Sequence, residues 1–537
     1  MKEKILSLKL VGLLIVLFAL FLNADCLLGQ DVQEPQIEVR DYQFVDIHLH
    51  PCVKPFNSRH VEDLNMWEHI DHSCSPGYAK WYADGRPEVP RESQSNFDAL
   101  ARGNFGIVCL SMVPIERQMF HPRFLNMKKR GVETLACATG IDVSQFDELF
   151  SKEDITYFPI LRENIEFLEE EMSCDWDIEG QKHSYELVES REHLLALEQD
   201  PTKLAVVLTI EGSHVLGRSL RKKDVSDEPD FRDLVMQNAR RLKGIDPLSN
   251  WKDDYLKYPI FFLGINHFFW NGIAGQARVF DQKQALVMGG SKGVDDGVTD
   301  VGKEVIPFLL SKEEGRRILL DSKHMSWETR QWYYSLLDSL KAKGDDIPLI
   351  YSHVALAGLE SSEKEFLKKD GKGKNKDSYF NRWTINITND EVRRVHESNG
   401  LLGLMMDKYR LCGELAREVM DATEFGSEER KAIYMQVVMM NIFQTIKAVD
   451  QKSAWDIVSI GSDFDGLINV FEFYDTSDKF PQMADDIQAF LENPTDIFEV
   501  FTAAEVRELM YDYSPEELVK KIMSSNARDF IVRNFPD

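Results

Sequence analysis

Cysteine is scarce in this chain of 537 residues: seven in all, at 26, 52, 74, 109, 137, 174 and 412, with no Cys-x-x-Cys pair. That spacing supports neither a thiolate zinc site nor a disulfide framework, though it leaves room for one or two bridges in an exported protein. Positive charge is in deficit as well. Lys and Arg number 63 against 90 Asp and Glu, a formal net charge of −27, which repels nucleic acid and anionic membrane surfaces and argues against both as electrostatic partners. Acidic stretches such as Glu169-Glu-Glu171 read as a solvated surface that aids solubility. No repeat of 20–50 residues is visible, which excludes solenoid and propeller architectures.

Long apolar runs are missing except near the start. Lys2, Lys4 and Lys9 precede the run Val11 to Leu22, and polar sequence follows. A basic segment and an apolar stretch of about a dozen residues match a secretory signal, here over residues 1–30. The run is short of the about 20 residues that a spanning helix needs. Cys26 stands where a lipidated cysteine would, but Asp25 before it does not fit a small-residue lipobox. The expectation is export to a periplasmic or extracellular space, with a lipid-anchored form as the alternative. Membrane attachment through the N-terminus and homodimer formation are both compatible with the sequence.

The remainder, residues 31–537, has the composition of one globular domain, since the whole chain is 43% hydrophobic and 28% charged. Eight apolar segments punctuate it, at 44–50, 106–113, 205–211, 261–267, 317–324, 348–353, 400–406 and 457–463. Near-continuous apolar runs of strand length are what a parallel sheet buried on both faces requires. Helical patterns lie between several of them: Thr299 to Leu310, Asn389 to His396 with Asn389 as the expected N-cap, and the Met-rich stretch Tyr434 to Val449. The long connections 213–260 and 355–380, and that between the second and third segments, should rise as walls over one end. The run Lys368 to Lys376 within them reads as a surface loop. A plain (β/α)8 barrel needs roughly 250 residues, and insertions of this size bring it to the observed length.

Chemistry-bearing residues collect at the C-terminal ends of these segments. His48 and His50, two apart, project from the same face of a strand and can grip one ion together. Glu211 closes the third segment, His267 the fourth, His324 the fifth, His353 the sixth and Asp463 the eighth. Five of the 13 histidines are therefore at segment ends. A TIM barrel gathers all its strand ends at a single mouth, and burying this many ionisable groups together without cations would be costly. Two divalent ions, with Glu211 bridging them, would neutralise the cluster and lower the pKa of a water held between them. The hydroxide so formed would be the nucleophile, with Asp463 as proton shuttle. Histidine and carboxylate ligands suit Zn2+ without excluding Mn2+, Fe2+ or Co2+.

Along most of residues 44–535 the chain resembles the membrane (renal-type) dipeptidases, peptidase family M19 of the amidohydrolase superfamily. The resemblance rests on Ile210-Glu-Gly212, Gly297 to Val305, Leu320 to Ser326, Tyr351-Ser-His353 and, most specifically, Gly461-Ser-Asp-Phe-Asp-Gly466. Ser95 to Gly106 and the closing Ile522 to Phe530 add to it. The resemblance implies a binuclear zinc barrel that cleaves dipeptides. His48, His50 and Glu211 would hold one metal, and Glu211, His324 and His353 the other. Asp463 would match the catalytic aspartate, and His267 the histidine that polarises the scissile carbonyl.

Three departures stand out. The family's His-x-Asp on the first strand is His48-Leu-His50 here, one negative charge fewer. Its carboxylate-clamping arginine is replaced by Ile385 before Asn386, which leaves Arg382 as the candidate substrate-binding guanidinium. The gap from His267 to Asn271, a second candidate for substrate binding, is one residue longer than usual. A dipeptide or related small molecule is thus the expected substrate. Another amidohydrolase reaction, on an N-acyl amino acid or a lactone, is the alternative, and a non-catalytic binding protein is the third reading.

Overall fold

The computed structural model describes residues 40–59, 64–70, 92–119, 136, 139–142, 155–172, 174–220, 229–246, 256–279, 290–361 and 376–536. The expected signal segment, Cys26 and most of the Lys368 to Lys376 run lie outside these residues.

All eight apolar segments form strands. In chain order the strands are β1 (Phe44–Leu49), β2 (Phe105–Met112), β3 (Trp176–Ile178), β4 (Gln181–Leu187), β5 (Lys203–Ile210), β6 (Phe262–Gly264), β7 (Leu319–Asp321), β8 (Ile350–Val354), β9 (Leu401–Leu404) and β10 (Val458–Ile460). Eight of them pair side by side in the order β1-β2-β5-β6-β7-β8-β9-β10, every pair parallel. The ring then closes. Asp463 N donates to His48 O and His50 N to Phe464 O, at 2.9 and 2.8 Å, joining the last strand to the first. Each barrel strand is followed by at least one helix before the next, or after β10 by Phe480–Glu492 and Asn526–Asn534. This is a (β/α)8 barrel, as expected from the sequence.

The strands run as unbroken apolar stretches because the barrel interior covers one face and the helices the other; β1, β2, β8 and β9 are buried at every position. One antiparallel hairpin was not foreseen. β3 pairs with β4, and β4 lies parallel to the first half of β5, on the side that β6 occupies further along. Its strands are short and largely polar, so they lack the apolar signature of a barrel strand.

The helices start where capping chemistry dictates. Thr299 accepts from Gly302 N to open Asp300–Leu310, and Ser326 accepts from Thr329 N to open Trp327–Lys341. The expected cap at Asn389 is corrected: Thr388 is the N-cap and forms a reciprocal box with Glu391, so Asn389 is the first helical residue. The Met-rich helix runs Glu428–Val449 and is long and apolar enough to cross a membrane by composition. It is largely buried within the protein, packed against the helices Asn389–Glu397, Glu414–Asp421 and Phe480–Glu492. Cys52, Cys109, Cys174 and Cys412 are unpaired among the described residues.

Candidate metal centre

Functional side chains reach the barrel mouth because each sits within a strand or a few residues beyond its C-terminal end. His48 and His353 are within β1 and β8; His50 and Glu211 follow β1 and β5 directly; His267, His324 and Asp463 come three residues after β6, β7 and β10. The turns that carry them are unusual. His324 and Asp463 both adopt left-handed backbone, φ 63° in each, a region that only a few per cent of non-glycine residues visit. Gly212, at φ +98°, is required next to Glu211, since a Cβ there would collide with the His214 ring.

Seven side chains meet in one buried cage. Glu211 is its centre. Oε1 of Glu211 lies 3.0 Å from His324 Nε2 and 3.4 Å from His353 Nε2. Oε2 lies 3.3 Å from His50 Nε2 and 3.4 Å from His267 Nε2. His48 Nε2 is 3.8 Å from Glu211 Oε1 and only 3.0 Å from His50 Nε2; His324 and His353 oppose their Nε2 atoms at 3.2 Å. Asp463 closes the cage with Oδ1 at 3.3 Å from His50 Nε2 and 3.8 Å from His48 Nε2. Three groups, His48–His50–Glu211, Glu211–His324–His353 and His48–His353–Asp463, each bring their ligand atoms within 4.8 Å of one another. The first two are the sets that the family resemblance implies.

The reverse side of the imidazoles decides what those nitrogens can do. His50 Nδ1 is 2.8 Å from the Ser111 carbonyl, so Nδ1 carries a proton and, once the ring is neutral, Nε2 carries the lone pair. Ser352 serves two rings at once. Its hydroxyl donates to Asp321 Oδ2 at 2.5 Å, which leaves its oxygen to accept from His48 Nδ1 and His353 Nδ1, each at 3.0 Å. Asp321 is in turn fixed by the amides of Ser352 and Lys323. In the neutral tautomers so defined, Nε2 lone pairs of His48, His50 and His353 converge on carboxylate oxygens. Acceptors facing acceptors at about 3 Å repel, and cations between them would relieve the repulsion. The residues present fit divalent cations.

Burial sets the titration of the cage in the absence of cations. It holds His48 and His353 well below the usual imidazole range and pushes His324 down to about 4. Burial opposes charge on His50 too, but its hydrogen bonds to Asp463 and Glu211 prevail and raise it to about 10. Burial lifts Asp463 to about 6 against the hydrogen bond from His50. Asp46 beneath the cage is lifted by burial to about 7, although His48 N and Ser462 N donate to it. Lys323 is buried beside the cage and pushed down to about 8, by burial first and the Arg410 charge second.

Glu116 is a site residue that the sequence reading missed. Its buried carboxylate accepts from His267 Nδ1 at 2.7 Å and from the amides of Phe268 and Phe269. Burial alone would raise its pKa; the charge and hydrogen bond of His267 reverse that and leave it below the usual range. His267 is conversely raised, against burial, by Glu211 and Glu116. A signal existed: Glu116 lies just past β2, where strand-end carboxylates were to be sought. Asp46 and Asp321 were legible by another sign, an acid inside an apolar strand.

Asn271 and Arg382, the other candidate substrate-binding residues, are not among the seven side chains of the cage. Asn271 Nδ2 donates to Ile265 O and Ser213 Oγ, and Oδ1 accepts from the amides of Ile273 and Ala274. Its amide is spent on holding the turn after β6. Arg382 is half-buried in the segment after β8, and it does not line the cavity that opens beside the cage.

No protein-family model matches the chain, and no curated protein does. Solved structures do resemble it. A metallopeptidase from Rhodobacter sphaeroides, bound to a phosphinate mimic of the dipeptide L-Ala-D-Ala, is 14% identical at a TM-score of 0.47, over 92% of this chain and 99% of that one. A dipeptidase of peptidase family M19 is 13% identical at a TM-score of 0.45, over 92% and 99%. A probable dipeptidase from Pseudomonas aeruginosa is 13% identical at 0.43, over 92% and 94%. Likeness at this level fixes neither reaction nor substrate. The barrel rests on its own strand order, and the chemistry rests on the cage.

Proposed function

We propose that this protein is a metal-dependent hydrolase of amide bonds, with two divalent ions, Zn2+ by donor type, and a dipeptide as the substrate class. The observation that carries it is the cage itself: imidazole lone pairs aimed at a shared carboxylate, with the far nitrogens of His48, His50 and His353 already tied down. His48 and His50 would hold one ion, His324 and His353 the other, and Glu211 would offer one oxygen to each. When bound, such ions supply Lewis acidity that ionises water near neutral pH and polarises the carbonyl.

Asp463 has the geometry to take the proton of the attacking water and return it to the leaving nitrogen, and a carboxyl lifted to about 6 releases and recaptures a proton near neutrality. His267 supplies the oxyanion donor. With Nδ1–H given to Glu116, a neutral His267 would present only a lone pair at Nε2; the Glu211 and Glu116 carboxylates favour the protonated ring against burial, and in that form Nε2–H can donate to developing negative charge. Glu116 is thus a positioning residue that holds both ring orientation and charge. Substrates without a free carboxylate, such as lactones, are the second reading, supported by a cavity whose described lining contains no lysine or arginine.

The test is hydrolysis of L,L- and L,D-dipeptides, N-acyl amino acids and lactones by the purified chain, with and without a chelator. Chelator-sensitive cleavage of dipeptides, restored by Zn2+, is expected. Lactone cleavage alone would shift the reading to esters, and no chelator-sensitive turnover of any of them would remove it. If Arg382 clamps the free carboxylate, Arg382→Ala raises KM for dipeptides while leaving lactone KM unchanged.

A further inference from the structure

A cavity opens directly beside the cage, with His50, Glu211 and His267 forming its inner end. Its empty space is about 480 Å³ counted together with open solvent, so the enclosed part is much smaller and suits a side chain rather than a large molecule. Val53, Val113, Ile115, Ile141, Phe268 and Leu467 make its walls. They belong to a small apolar cluster that is separate from the main core, the kind of satellite cluster that lies under long connections. Ile141 and Thr139 come from the long connection after β2, and Leu467 from the turn after β10.

Outside the cage the charged groups in the described lining are two carboxylates, both fully engaged, and no lysine or arginine is among them. Glu116 is held by His267 and two backbone amides. Asp465 pairs with buried Lys54 and accepts from Gln94 N, Ser95 N and Ser95 Oγ, so both its oxygens are occupied. A cationic substrate group would find no spare carboxylate there. An anionic one would meet three acids and no described lysine or arginine. A neutral polar group would lose water to an apolar wall. Only an uncharged apolar group gains from entering.

We propose that this cavity seats an uncharged apolar side chain on the residue that flanks the scissile bond. On the amide-hydrolase reading, on which this rests, the preferred substrates are dipeptides or N-acyl amino acids carrying a Val-, Leu- or Phe-sized group at that position.

The test is a series of Gly-X, X-Gly and N-acetyl-X substrates with X as Gly, Ala, Val, Leu, Phe, Asp and Lys, assayed on the full Zn2+-loaded chain. At one position kcat/KM should rise at least about tenfold from Gly to Leu or Phe, as methylenes in an apolar pocket are discriminated, and fall below Gly for Asp and Lys. Leu467→Lys, a change at a half-buried residue, should reverse the order of Leu and Asp. A reading independent of turnover comes from the metal-free chain: N-acetyl-leucinamide should raise its Tm, and the aspartate analogue should not. Turnover that is flat across X, or best with Asp or Lys, overturns this inference and leaves the hydrolase reading intact. No turnover of any amide removes both, whereas an unchanged Leu-to-Asp preference in a folded Leu467→Lys overturns the assignment of the wall.

Discussion

Asp465 and Glu211 are both buried carboxylates at the barrel mouth, yet their surroundings are opposite in kind. Around Asp465 stand donors only: the Lys54 ammonium, the amides of Gln94 and Ser95 and the Ser95 hydroxyl. Around Glu211 stand the Nε2 atoms of five imidazoles at 3.0 to 3.8 Å, and for His48, His50 and His353 the N–H is already committed on the far side of the ring. The first cluster is complete as it folds and ties the turn after β10 to the segment before β2. Among the described residues the second is met only by imidazoles, rings that can turn a lone pair to a cation instead. Burial and strand-end position are common to both, so neither distinguishes a structural carboxylate from a metal-binding one. Which way the neighbouring hydrogens point does.

Exchanging the demands of the two clusters gives the largest effect at Glu211. Glu211→Gln should abolish tight metal binding and, with it, several kcal/mol of Lewis-acid stabilisation, a loss of about 1,000-fold or more in kcat/KM. Its metal-free Tm should hold. Asp465→Ala should do the reverse: removal of one partner strands the buried Lys54 charge and destabilises the fold by about 3–5 kcal/mol, read by denaturant unfolding, while metal content per folded chain persists. A variant pair that swapped these phenotypes would break the distinction.

Glu116 sharpens the comparison, because it is a carboxylate satisfied by donors whose satisfaction serves the site. Glu116→Gln keeps an acceptor for His267 Nδ1 but removes a charge that favours the protonated ring. It should lower kcat about 100-fold, the scale of one lost oxyanion donor, with KM and metal content little changed, and Glu116→Asp should recover part of the loss. Equal loss from Gln and Asp variants would mark Glu116 as packing only.

The smallest effect concerns pH. His50, raised to about 10, carries a proton at neutrality in the metal-free chain, and a ligand imidazole must surrender it. Metal affinity should therefore strengthen with rising pH, by about tenfold per unit while this single proton is displaced and until pH nears 10. Calorimetry in buffers of different ionisation enthalpy should count the released proton. A pH-independent affinity would mean that His50 is neutral before the metal arrives.

Much of this molecule was legible in its sequence because the barrel writes itself in apolar runs. All eight segments became barrel strands, since a strand buried on both faces has no room for alternation. His48, His50, Glu211, His324, His353 and Asp463 were legible by residue type at a strand end, and the structure brings all of them into one cage with His267. The hairpin β3–β4 was not legible, because a partly exposed ladder needs no apolar pattern. Neither was the double duty of Ser352, whose hydroxyl orients two rings; serine before histidine has no distinctive signature, and only the fold brings Asp321 and His48 to it. Asn271 and Arg382 were read from a resemblance whose pattern the chain departs from at both places, and turn geometry rather than residue type decides where such residues point.

The central claim is that the cage is built for two cations. Elemental analysis of the purified chain, paired with its Tm before and after chelation, tests it most directly. About two divalent ions per chain are expected, lost together with a marked drop in Tm on chelation and recovered on adding Zn2+. A chain that purifies without metal and whose Tm is indifferent to added Zn2+, Mn2+ or Co2+ would contradict it.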